Sequence, residues 1–185
     1  MSDFAPARMT SDEFIAWAME QPEGHRYELV AGEVVGMAPE RSAHALTKFH
    51  IARRLAEAVE RYGLLCSVYP DGMAVEIDAT TTYEPDALVR CGPDLSPDTI
   101  KLDDPVIVVE VLSPSTRARD AGAKLVDYFR LPSVHHYLIV RTEDRAIIHH
   151  ARNADGTILT RIVREGTLHL DPPGLSLTGL FPTSA

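Results

Sequence analysis

The stretch DPVIVVEVLSPST, Asp104 to Thr116, decides how the rest of the chain is read. Val106, Ile107, Val108, Val109, Val111 and Leu112 form an apolar run broken only by Glu110. A β-branched run of this kind reads as a strand covered on both faces, as in the interior of a parallel or mixed sheet. Alternation places Val106, Val108, Glu110 and Leu112 on one face and Ile107, Val109 and Val111 on the other. A carboxylate in that setting has to be desolvated, paired or bound to a cation, because burying an unpaired charge is costly.

Length and composition narrow the setting. The 185 residues fit one domain over 1–185, with a short helical extension over about residues 1–22. Mean hydropathy of −0.08 is that of a water-soluble chain, and no stretch approaches the roughly 20 apolar residues of a membrane helix. The N-terminus, MSDFAPARMT, lacks the apolar core of a signal peptide, so a cytoplasmic location without a membrane partner is expected. Cys66 and Cys91 have no CxxC or Cys/His spacing and read as free, buried thiols. A net charge of −9 excludes coating of nucleic acid by bulk electrostatics. It leaves nucleic acid open as a substrate wherever local cations reverse the field.

Thr10 to Glu13 has the T-x-x-E form of a capping box, which predicts a short helix to about Gln21. RYELVAGEVVGMAP predicts two strands joined by a tight turn at Ala31-Gly32. Leu46, Phe49, Ala52, Ala56 and Val59 mark a long amphipathic helix, capped by Ser42 and stopped at Gly63. Two strands meet at Pro70-Asp71-Gly72, and another enters at Pro85. RARDAGAKLVDYFRL is helical, and strands HHYLIVRT, RAIIHHAR and ILTRIVRE follow, the last two joined by a hairpin turn at NADGT. The pattern predicts an α/β (α+β) domain with a central mixed sheet flanked by helices.

A partner for Glu110 emerges from depth. Lys124 lies eight residues past Thr116, roughly 12 Å along a helix. Glu110 lies three residues before Ser113, roughly 10 Å back along its strand. If the helix folds back on the sheet, the two charges meet. Asp120 is four residues before Lys124 and offers it an ion pair on the same helix face. Asp86 follows Pro85 at a strand entry and is the second carboxylate candidate. An Asp and a Glu converging from neighbouring strands make a hard-oxygen site for Mg²⁺ or Mn²⁺.

The ordered set PDALV, VVEVLSPST and then Asp120, Lys124 and Tyr128, with YELVAGEVV and His44 upstream, resembles the Uma family of endonucleases in the PD-(D/E)XK nuclease superfamily. That resemblance spans roughly Tyr27 to Val140. It implies a restriction-endonuclease-like core and a divalent metal held by Asp86 and Glu110. It also implies hydrolysis of phosphodiester bonds, of DNA in the first instance, by metal-activated water. The usual superfamily lysine lies two residues after the glutamate, where this chain has Leu112. The resemblance implies that Lys124 takes its place.

Glu28 reads either as an active-site carboxylate, as the resemblance implies, or as an exposed strand residue. His44 reads as a group near the metal or phosphate, or as a surface histidine. Arg117, Arg119 and Lys48 are candidates for phosphate-backbone contact, against the alternative of a solvated face. The pairs His135-His136 and His149-His150 point to opposite faces within each strand, so neither pair is a chelate. The competing function is a nuclease fold without catalysis, used to bind nucleic acid or protein. A homodimer is expected from the frequency of two-fold oligomers.

Overall fold

The computed structural model describes residues 8–112 and 118–181, with the side chains of residues 118–121 outside that description. In chain order the elements are α1 (Ser11–Met19), β1 (Tyr27–Val30), β2 (Glu33–Gly36), α2 (Ser42–Arg61), β3 (Cys66–Pro70), β4 (Ala74–Asp78), β5 (Thr81–Tyr83) and β6 (Ala87–Cys91). They continue as β7 (Lys101–Leu102), β8 (Ile107–Leu112), α3 (Ala118–Tyr128), β9 (His136–Arg141), β10 (Ala146–Arg152), β11 (Ile158–Val163), β12 (Leu168–Leu170) and β13 (Leu175–Leu177).

The expected central mixed sheet is six-stranded, in the order β11-β10-β9-β8-β6-β3, with β8 and β9 parallel. A second sheet, β2-β1-β5-β4-β7, stands beside it, and β12-β13 form a separate hairpin. The alternation along β8 holds. Ile107, Val109 and Val111 pack with Ile51 and Leu55 of α2 and with Leu170 and Leu175 of the β12–β13 hairpin. Val108, on the opposite face, packs with Tyr83, Val75, Tyr128 and Tyr137. One face of the central sheet therefore meets α2, and the other meets α3 and the second sheet. Glu110 projects into the second of these layers.

Local signals explain several elements. The Thr10–Glu13 capping box closes reciprocally at the start of α1. Ala31 and Gly32 both have positive φ, 50° and 84°, as the turn of a two-residue hairpin requires. Gly63 follows the C-cap of α2 at φ 60° and ends it in the left-handed conformation.

Three expectations are corrected. The N-cap of α2 is Arg41, without a side-chain hydrogen bond, and Ser42 is already helical. Leu46 and Phe49 are exposed at 64% and 67%, and Ala56 is exposed as well. The buried stripe is instead Thr47, Lys48, Ile51, Ala52, Leu55, Ala58 and Val59. Two strands do flank Pro70-Asp71-Gly72 as expected, and they belong to different sheets, since β3 pairs with β6 and β4 with β5 and β7. Finally, Cys66 and Cys91 are not free: they are opposed in the β3–β6 ladder and joined as a disulfide. Sequence separation hides that proximity, because the intervening chain leaves for the other sheet and returns. Among the described residues no helix is long and apolar enough to cross a membrane.

Candidate active site

Glu110 finds its partner on α3. Lys124 and Tyr128 lie one helical turn apart and face the same way. The Lys124 ammonium donates to Glu110 Oε1 at 3.0 Å, and the Tyr128 hydroxyl donates to the same oxygen at 3.0 Å. Lys124 also donates to Glu28 Oε1 at 2.8 Å, so one ammonium ties the central sheet to β1 of the second sheet. Glu28 is 8% exposed and accepts the Glu84 amide at 3.0 Å as well. The Tyr83 ring lies 5.0 Å from the ammonium and covers it.

Asp86 precedes β6 and is 5% exposed. Its Oδ2 accepts the Val111 amide at 2.6 Å, which ties it to the residue after Glu110. Lys48 Nζ lies 3.2 Å from Asp86 Oδ1, donates to Asp71 Oδ2 at 2.7 Å and bonds Glu40 Oε1. The His44 ring donates from Nε2 to the Val111 carbonyl, and that nitrogen is 3.8 Å from Asp86 Oδ2. Its Nδ1 faces Glu40 Oε2 at 3.4 Å.

These groups form two ion-pair clusters, joined by the Glu84 amide on Glu28 and the Val111 amide on Asp86. Arg26 adds bonds to Asp71, Glu84 and Glu40. Glu40, Asp71, Glu84 and Asp86 pair with Arg26 and Lys48, while Glu28 and Glu110 pair with Lys124. Burial and the cations act unequally on the acids: despite burial, Lys48 and His44 lower Glu40, and Arg26 and Lys48 lower Asp71, while deeper acids rise. Burial pushes Glu110 up to about 7, Lys124 pulls against it, and Asp86 and Glu28 add to the rise. Burial also raises Asp86 despite the Val111 amide, Lys48 and His44. Lys124 moves the other way from its burial: desolvation pulls it down, but Glu110 and Glu28 outweigh that and hold it protonated. Crowded oxygen donors with surplus negative charge fit a small divalent cation. Glu40, His44 and Asp86 each offer a donor atom within 4.8 Å of the others.

Most of the expected residues meet here. Glu110, Lys124 and Glu28 form one cluster, and Asp86 and His44 belong to the other. Lys48 does not lie on a phosphate-binding surface as expected: it is 6% exposed and engaged by three carboxylates. Arg117 lies outside the described residues, and Arg119 and Asp120 are described only as part of the α3 backbone. Glu40 and Asp71 were not among the expected residues. Glu40 had a signal, since it stands four residues before His44 where a helix begins. Asp71 had none, as its Pro-Asp looks like three others in the chain. The discounted histidines do meet across strands. His136 donates from Nε2 to the Pro172 carbonyl, and its Nδ1 is 2.9 Å from His149 Nε2. Burial lowers both to about 4, so they form a neutral core pair away from the carboxylates.

The profile of the Uma2 family, described as "Putative restriction endonuclease", matches residues 11–180. The chain belongs to the Uma2 family. An uncharacterised protein of Synechocystis sp. is 28% identical to this Uma2 chain over 171 residues, covering 91% of it and 88% of that protein. A crystal structure from Anabaena variabilis, titled as a "putative nuclease belonging to DUF820", superposes with a TM-score of 0.71 at 13% identity. It covers 89% of the Uma2 chain and 90% of its own, which establishes a shared nuclease-like fold.

Proposed function

We propose that this Uma2 protein is a metal-dependent endonuclease, a single domain that hydrolyses phosphodiester bonds of DNA with Mg²⁺ or Mn²⁺ held by Asp86 and Glu110. One observation carries the reading. The lysine absent from the position of Leu112 is supplied by α3, where Lys124 reaches Glu110 at 3.0 Å and Glu28 at 2.8 Å. The cation, when bound, supplies Lewis acidity and a water of lowered pKa.

The chain's own residues do the rest. Lys124, kept protonated by its two carboxylates, offers positive charge to the phosphoryl oxygens as negative charge develops. Glu28 and Tyr83 hold that ammonium in place, and the Tyr128 hydroxyl orients the Glu110 carboxylate. Asp120 is assigned to positioning Lys124 on its i,i+4 spacing in the sequence alone. His44 steadies Val111, the residue between Glu110 and Leu112, through its carbonyl. In this reading the protein is cytoplasmic and acts as a homodimer, which presents two sites to the two strands of a duplex.

Purified protein and its Glu110→Gln variant, assayed on duplex DNA, single-stranded DNA and RNA with Mg²⁺ and with Mn²⁺, test the assignment. Cleavage by the parent and none by the variant is expected; cleavage that persists in the variant overturns it. A second reading, a binding module without catalysis, is favoured by the displaced lysine, with Leu112 two residues after Glu110, and by the net charge of −9. It expects nucleic-acid or protein binding that ignores metal, and no hydrolysis.

A further inference from the structure

β11 closes one end of the central sheet, and among the described residues its single ladder partner is β10. Its residues, Ile158 to Val163, hold no proline, no glycine and no acid, and one charge, Arg161. Ile158, Leu159 and Ile162 are exposed, Ile162 to 60%. An exposed apolar edge of this length is a template for another strand, and proteins that keep such an edge single blunt it with charges, proline or a bulge. The opposite end, β3, is blunted in this way by Pro70. The free backbone groups of β11 can be assigned. The Asn153 amide donates to the Thr157 carbonyl at 2.8 Å, and the Arg152 amide turns away from β11 to the His135 carbonyl at 2.9 Å. Antiparallel pairs alternate, so Leu159, Arg161 and Val163 exchange bonds with β10. Ile158, Thr160 and Ile162 then direct their amide and carbonyl groups out from the edge of the sheet.

We infer that β11 is the interface of a homodimer, pairing antiparallel with β11 of a second copy about a two-fold axis at Thr160, so that two central sheets become one. The sequence favours a second copy over a foreign strand. With Thr160 opposite the partner's Thr160, Ile158 meets the partner's Ile162 and Ile162 meets the partner's Ile158, which closes the apolar residues of that face on one another. The same register sets all the outward residues in hydrogen-bonded pairs, giving about six backbone bonds across the axis. On the other face Arg161 lies beside the partner's Leu159, where its stem covers the leucine and its charge stays in water. An axis at Arg161 would oppose the two Arg161 guanidinium groups. An axis at Leu159 would set Ile158 against the partner's Thr160 and Ile162 against the partner's Gly156. Neither alternative pairs isoleucine with isoleucine. Because β11 carries no acid, the net charge of −9 does not oppose the contact at the seam. The inference names the interface of the homodimer in the proposed function and stands without the catalytic reading.

Sedimentation of the full chain over a range of concentrations tests the interface, with circular dichroism as the check on folding. The parent is expected to pass from 20.4 kDa toward twice that mass. Ile162→Lys places two lysines in the seam and should weaken dimerisation at least about tenfold. Phe49→Lys, on the exposed face of α2, should leave dimerisation unchanged. A parent that stays monomeric at every concentration overturns the inference, as does dimerisation lost in Phe49→Lys and kept in Ile162→Lys. The register is read by oxidising Leu159→Cys mixed with Arg161→Cys, the two carrying tags of different mass. In the inferred pairing these positions form a non-hydrogen-bonded pair with Cα atoms about 4.5 Å apart, within reach of a disulfide. A disulfide-linked mixed dimer is expected; linkage of either variant to itself, without the mixed product, overturns the axis at Thr160. Glu110→Gln should dimerise as the parent does, so failure of this interface and failure of the cleavage assignment are read separately.

Discussion

Asp86 accepts the amide hydrogen of Val111 at 2.6 Å, in a contact shielded from water. A side chain at the entry of β6 is thereby fixed to the backbone of β8 one residue past Glu110. The two acids of the site are held in register by the sheet itself, and Lys124 closes over them from α3.

Removing the lysine exposes the strength of that closure. Lys124→Met leaves Glu28 and Glu110 without their shared cation, and the expected loss is about 3–5 kcal/mol. Lys124→Met combined with Glu110→Gln should recover a large part of it, because the uncompensated charge goes too. Urea denaturation of the parent, both single variants and the double variant reads the coupling directly.

The acid itself predicts a pH dependence. The folded-state pKa of Glu110, about 7, lies above its ordinary value of 4.5, so the native protein holds this proton more tightly than the unfolded chain. Its contribution is complete below about pH 4.5 and is lost as pH rises through about 7. Melting in EDTA should therefore show the parent losing stability relative to Glu110→Gln between pH 5 and pH 8. The slope common to both proteins carries a rise with pH from His136 and His149, which burial lowers to about 4, and an opposing contribution from Asp86, which burial raises. Equal slopes in the two proteins would contradict the burial argument.

The phase of α2 is open to a paired substitution. Ile51 is 1% exposed and packs beneath the central sheet, so Ile51→Ala should cost about 2–5 kcal/mol. Phe49 is 67% exposed, and Phe49→Ala should change stability by no more than about 0.5 kcal/mol. Thermal or chemical melts of the two variants decide the phase, since the apolar spacing alone favours burial of both.

Reduction tests the link between β3 and β6. The disulfide spans 25 residues, and releasing that constraint on the unfolded chain should lower stability by about 3 kcal/mol. A melt with and without dithiothreitol, repeated on Cys66→Ser with Cys91→Ser, should show the shift in the parent and none in the variant.

Helices and strands were largely legible because their signals are local. The capping box, the Ala31-Gly32 turn, the NADGT turn and the alternation along β8 each act over a few residues. The errors fall where burial is decided by neighbours distant in sequence. Lys48 reads as a surface charge on a helix, yet it is buried because Asp71 and Asp86 come to it from β3 and β6. That same attraction helps to set the phase of α2 and leaves Leu46 and Phe49 outside. β5 and β7 escape notice for another reason: at three and two residues they are too short to show a period.

By itself the sequence determined that an acid sits inside a buried strand and requires a cation, because hydrophobic pattern and desolvation are properties of the local chain. It also supplied the ordered Asp86, Glu110 and Lys124. Only the tertiary structure decided which charges share a site. Lys124 meets Glu28 across a sequence separation of 96 residues, and His44 meets the Val111 carbonyl across 67. Such pairings depend on how two sheets and a helix stack, and no local periodicity encodes that packing.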